Sequence, residues 1–255
     1  MIILLSPAKS LDMQTPVPAV GATQPQFLAE ASALAKAAAR MDSATLMKLM
    51  HISEPLAALN EARFKAFETP FSPENARPAI FTFAGDVYTG LDAANLDNGD
   101  LAYAQAHLRI LSGLYGVLRP LDLMQPYRLE MGTSFGLGTA RTLYDYWRGR
   151  VAPSLAADIH SERPVVINLA SAEYFKAVDM SAVPARLLTI DFRDRKDGKL
   201  RFNSFLAKRA RGAAARAIIK ARLVDPEPLK AMEIMGHQFE ADAETENHWL
   251  FVRTV

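Results

Sequence analysis

The chain has 255 residues, 50% hydrophobic and 22% charged, with a net charge of +1. That is enough apolar material for one sizeable core, as a single domain or a domain with an inserted subdomain. There is no cysteine, which excludes disulfides, thiolate metal sites, iron–sulfur clusters and a cysteine nucleophile; no run reaches the roughly 20 apolar residues of a membrane helix, and no basic leader marks a signal peptide.

Residues 1–5, MIILL, are short and continuously apolar, which predicts a buried strand. Ser6 and Pro7 end it, and Ala8, Lys9 and Ser10 follow. The loop beyond a strand's carboxyl end is a favoured ligand site in α/β sheets. Lys9 with two hydroxyls there can hold an anion. A capped turn with a solvated lysine is the plainer alternative, because SPAKS lacks the glycines of a phosphate loop. Pro16, Pro18, Gly21 and Pro25 mark 11–25 as a surface loop. Helices are expected over 26–41, from Asp42 or Ser43 to about 51, and from Ser53 to Phe67. Pro70, Pro73 and Pro78 then break the chain.

AIFTFA, 79–84, predicts a second buried strand, trailed by Asp86 and Tyr88. Asp86 is either a helix cap or a site acid. Residues 92–100 read as a polar turn and 102–111 as a helix. A further helix is expected over 139–159, limited by Pro153. PVVINL, 164–169, predicts a third strand, with Asn168, Ser171, Glu173, Tyr174 and Lys176 at its end. Residues 186–192 and 199–205 pair as a hairpin through Asp197-Gly198. Residues 204–222 form an amphipathic helix, and 249–253, WLFVR, a last strand.

Charge is separated along the chain. Residues 193–222 hold eleven Lys and Arg against two acids, and 225–246 hold seven acids against Lys230. On the helix, Lys208, Arg209, Arg211, Arg216, Lys220 and Arg222 share one half. No acid lies between Lys199 and Arg222, whereas solvated helices usually mix signs. An anion-facing helix is therefore expected in preference to a merely solvated one.

The stretch 107–132 reads as an apolar helical run, a glycine-bounded turn at Ser112-Gly113-Leu114-Tyr115-Gly116, and a second apolar run. Backbone N–H groups at such a turn, flanked by Arg109, Arg119 and Arg128, can grip phosphates. This is the physics of a helix-hairpin-helix-like element over 101–132. The alternative is an ordinary helical corner, since two residues rather than one separate the glycines. The five histidines form no HxH or HxxxH pair. His237, Glu240, Asp242, Glu244, Glu246 and His248 could gather a cation, but an acidic solvated loop is the expectation, with no metal and no cofactor.

Five blocks together resemble a known family: LSPAKSLD (5–12), FAGDVYTGL (83–91), LRILSGLYGVLRPLDLMQPYRLEMG (108–132), VINLASAEYFK (166–176) and AKRARG (207–212). The sequence resembles the peroxide stress resistance protein YaaA family, with Ser10 where that family often has threonine. The resemblance spans nearly the whole chain as one domain, 1–255. It implies a mixed α/β fold: a central mixed sheet flanked by helices, with a helix-hairpin-helix element and a basic cleft. It also implies a cytoplasmic protein of the hydrogen peroxide response that binds double-stranded DNA, limits intracellular iron and protects against hydroxyl-radical damage. A monomer is expected.

Two readings follow. In the first, Arg109, Arg119, Arg128, Lys208, Arg209, Arg211 and Arg216 contact DNA phosphates without regard to sequence, and Gly113 and Gly116 shape the hairpin. In the second, the chain binds or transforms a small, nucleotide-like anion. Ser6, Lys9, Asp86, Tyr88, Asn168, Ser171, Tyr174 and Lys176 then line one cleft, with Asp86 or Glu130 as acid or base and Lys9 and Lys176 holding the anion. No reaction is legible in the residues.

Overall fold

The structure is a computed structural model and describes residues 1–160, 162–243 and 245–255. Strand β1 (Ile2–Leu5) is buried along its length, as a continuous apolar run in a parallel sheet demands. The short β2 (Ser10–Leu11) and helices α1 (Leu28–Ala38), α2 (Ser43–Met50) and α3 (Glu54–Lys65) follow. Asp42 caps α2 by accepting the Thr45 N–H at 2.8 Å.

The next segment differs from the strand expected at 79–84. After β3 (Arg77–Pro78), residues Ala79–Thr82 make one helical turn, α4, and only Phe83–Ala84 extend as β4. Thr82 Oγ1 donates back to the Pro78 carbonyl at 2.8 Å, a bond that only the helical conformation offers. Helix α5 (Asp86–Leu91) and helix α6 (Asn98–His107) come next. An Asp97–Asp100 capping box starts α6, so the tail of the expected polar turn is helical.

The helix expected to run to 111 stops at His107. Leu108–Ser112 is strand β5, and Gly116–Leu118 returns beside it as β6. The helix-hairpin-helix-like element at 101–132 is therefore corrected to a helix followed by a β-hairpin. Apolar residues fill every position of LRILSGLYGVL except Arg109, Ser112 and the glycines, so periodicity could not separate helix from strand. Pairing with β1 decided it: Ile3 lies opposite Leu108 and Leu5 opposite Ile110.

The rest comprises β7 (Leu123–Met124), α7 (Leu143–Ala157), β8 (Val165–Asn168), α8 (Ala172–Phe175), β9 (Arg186–Lys196), β10 (Lys199–Arg201), α9 (Ser204–Ala221), β11 (Gln238–Phe239) and β12 (His248–Thr254). Asp197 and Gly198 both take positive φ in the expected β9–β10 turn. Among the described residues the main sheet has eight strands in the order β11-β12-β9-β8-β1-β5-β6, with β10 beside β9. Strands β12, β9, β8, β1 and β5 are mutually parallel, and β6, β10 and β11 run antiparallel to their neighbours. The expected mixed α/β fold, a central mixed sheet with helices against it, is thus present.

One polar contact ties α9 to α6. The buried Asp100 carboxylate accepts Lys220 Nζ at 2.6 Å. That bond and the cap geometry hold its carboxyl below the usual range. A depressed carboxyl stabilises above its unfolded value and loses that contribution as pH falls through the folded value. Asp100→Asn should lower Tm at pH 7, and melts in acid should show the gap to the parent closing below the ordinary carboxylate range; a gap independent of pH would refute the ion pair.

Candidate anion-binding cleft at the strand ends

The chain leaves β1 toward β5 on one side of the sheet and leaves β8 toward β9 on the other. Their outgoing loops diverge, and a crevice opens at this switch in strand order. It has a volume of about 380 Å³, and its walls include Ser6, Lys9, Asp86, Ser171, Glu173, Tyr174, Lys208 and Arg211. The antiparallel pairing of β2 with β4 places Ser10 opposite Ala84 and so brings the 85–86 turn to the same rim. A small recess beside it is lined by Lys9, Tyr127, Arg128, Glu130 and Tyr174.

The loops are locked to one another. Ser6 Oγ donates to Ser171 Oγ at 3.2 Å and accepts the Ser171 N–H at 2.8 Å. The Tyr88 hydroxyl donates to the Ser6 carbonyl at 3.1 Å. Asn168 Oδ1 accepts the Ala170 N–H at 3.0 Å and shapes the turn that delivers Ser171. Tyr88 and Asn168 are thus braces beneath the cleft and do not line it. Lys176 lies over the Tyr144 ring, 4.9 Å from its centroid, and is not part of the wall.

Glu130 Oε1 receives Arg128 Nη2 at 2.9 Å and has Lys9 Nζ at 3.3 Å. Its Oε2 is buried with no hydrogen-bond partner among the described residues. Burial, reinforced by Tyr127, Glu173 and Glu130, pushes the Tyr174 phenol far up, so it stays protonated. Glu173 Oε1 accepts the Gly132 N–H at 3.1 Å and closes the rim.

Helix α9 supplies Lys208 and Arg211 because it crosses α5 at backbone contact. A Cβ on Gly90 would stand 2.0 Å from the Arg209 carbonyl, and one on Gly212 would stand 1.7 Å from the Val87 carbonyl. Lys208 projects from this crossing, exposed, at the mouth. Arg211 is half-buried there; burial lowers its pKa while Asp191, 3.6 Å away, counters the shift.

The expected phosphate-gripping set does not assemble as one surface. Arg109 is buried, with Nε on Asp158 at 2.7 Å and Nη1 on the Leu108 carbonyl at 2.7 Å. Arg119 holds the buried Asp122 through Nε at 3.2 Å. Arg216 donates to the Leu91 and Asp92 carbonyls at 3.1 and 2.6 Å, where it closes the end of α5. Gly113 and Gly116 serve packing: a Cβ would meet the Leu129 carbonyl at 2.1 Å in one case and the Trp147 ring at 2.6 Å in the other. Arg209 lies over the Phe205 ring. Lys208, Arg211 and, through the recess, Arg128 reach the cleft.

Tyr127 and Asp191 were not singled out from the sequence. Tyr127 lines the recess, and Asp191 steadies Arg211. Neither carries a local signal, since each acts on a partner distant in the chain. Of the acidic loop, Glu244 lies outside the described residues. His237 is buried, with Nδ1 on the Ile234 carbonyl at 2.9 Å, and no group of three His, Asp or Glu able to hold a metal occurs among the described residues. No helix among them is long and apolar enough to cross a membrane.

A family model described as peroxide stress protein YaaA matches residues 1–243. A UPF0246 protein of Aromatoleum aromaticum is 49% identical over 96% of this chain and 97% of its own length. A UPF0246 protein of Rhizorhabdus wittichii is 46% identical over 100% of both chains. Another, from Neisseria gonorrhoeae, is 45% identical over 100% of this chain and 98% of its own.

Proposed function

The chain belongs to the peroxide stress protein YaaA family, and from that premise we propose that it serves the peroxide-stress response by binding the backbone of double-stranded DNA, working as a cytoplasmic monomer that helps to limit intracellular iron and hydroxyl-radical damage. One observation carries the DNA contact. Hairpin β9–β10 and the first turns of α9 present Lys196, Lys199, Arg201 and Lys208 to solvent, with Asp197 at the turn as their exposed acidic neighbour. Phe202 and Phe205 are 54% and 52% exposed on the same run. Arg193 lies over Phe202 with its guanidinium 4.7 Å from the ring centroid.

Clustered Lys and Arg release counterions from phosphates and bind regardless of sequence. The contact surface in this reading is therefore 193–209, not the turn at 112–116, whose side chains are enclosed by the core. Fluorescence anisotropy with duplexes of unrelated sequence tests it. Affinity should fall steeply with salt and scarcely change with sequence. Binding that ignores salt, or none at low salt, would refute the reading.

A further inference from the structure

We propose that the crevice between the ends of β1 and β8 binds a small phosphorylated molecule of nucleotide size, with Lys9, Lys208 and Arg211 on the phosphate and Asp86 and Glu130 on the hydroxyl or amino groups of its other end. This goes beyond DNA contact; the two readings share Lys208, whereas Lys9 belongs to the crevice alone.

Position is the first argument. In open α/β sheets the gap at a reversal of strand order is where ligands enter, and here three separate loops converge on it. Size is the second. About 380 Å³ suits a small molecule and cannot admit a duplex, whose major groove alone is about 12 Å wide.

Chemistry is the third. Lys9, Asp86, Lys208 and Arg211 face the crevice, and Glu130 lines the recess beside it, which Lys9 also borders. Arg211 Nε and Glu130 Oε2 are both buried and lack hydrogen-bond partners among the described residues. One is a donor and one an acceptor, on different elements. Unmatched buried groups of this kind mark a site completed by something else. A molecule with an oxyanion at one end and donors at the other satisfies both. Phosphate fits better than carboxylate because the donors outnumber what two oxygens use. Beyond the three cations, Ser171 Oγ accepts from Ser6 and so keeps its own proton to give. A phosphate brings three strong acceptor oxygens and nearly two charges.

Isothermal titration with ribose 5-phosphate and the common nucleoside 5′-monophosphates tests the site, with adenosine and inorganic phosphate as comparators. At least one sugar phosphate should bind saturably, tenfold or more tighter than either comparator. Lys9 is exposed, so Lys9→Met should keep the parental melt yet weaken that probe at least tenfold. Ser171→Ala should weaken it in the same sense. Glu130→Gln should narrow the preference over inorganic phosphate. No saturation by any phosphorylated probe at millimolar concentration, inorganic phosphate binding as well as the sugar phosphates, or undiminished binding by Lys9→Met would each overturn the proposal. Duplex binding measured on Lys9→Met should match the parent, so failure here leaves the DNA reading standing and the reverse also holds.

Discussion

Gly212→Val is expected to destabilise the protein by about 3 kcal/mol or more, the upper range for forcing volume into a packed contact. The cause is geometric. Helices α5 and α9 touch backbone to backbone, and a Cβ at position 212 would lie 1.7 Å from the Val87 carbonyl and 2.8 Å from the Leu91 nitrogen. Neither neighbour is a side chain that could swing away. A Cβ on Gly90 would likewise stand 2.0 Å from the Arg209 carbonyl, so the two helices can separate only as units. For a chain of this size such a loss lowers Tm by about 6–12 °C. Separation would also draw Lys208 and Arg211 away from Asp86, so phosphate-probe binding should fall along with stability. Gly149→Ala is the matched comparison, because nothing lies within 4 Å of a Cβ there. Removing a helical glycine at that position should be neutral or stabilising by up to about 1 kcal/mol. A Gly212→Val melt indistinguishable from the parent would contradict the close crossing.

The buried parallel strands were legible because burial on both faces writes a continuous apolar run, as in MIILL and PVVINL. The Asp197-Gly198 turn was legible because positive φ at two successive positions restricts the residues allowed. The stretch 108–118 was not, because its strand identity rests on β1, about 100 residues earlier in the chain. Arg109 and Arg216 show the same limit at the level of charge. Each looked like a phosphate ligand, and each is consumed by a partner at a distance: Asp158 for the first, the end of α5 for the second. The candidate cleft was half legible. Polar residues trail each predicted strand, and the structure gathers Ser6, Lys9, Asp86, Ser171 and Tyr174 around one opening. Tyr88, Asn168 and Lys176 come from the same clusters and point elsewhere, since an offset of two or three residues along the chain turns a side chain from the cleft into the frame.

The central claim is that the basic run 193–209, and not the enclosed hairpin at 112–116, is what meets DNA. Its most direct test is the salt dependence of duplex binding by the triple variant Lys199→Glu/Arg201→Glu/Lys208→Glu. All three side chains are exposed in the structure, so the fold should tolerate them. Each phosphate contact contributes about 0.9 to the slope of log K against log salt, so the slope should shrink by about 2.7 and low-salt affinity should fall roughly 100-fold. Lys36→Glu/Arg40→Glu/Lys48→Glu changes net charge equally at exposed positions on the α1–α2 side. It should lose far less affinity and keep the parental slope. Equal losses in the two triple variants, or an unchanged slope in the first, would contradict the account.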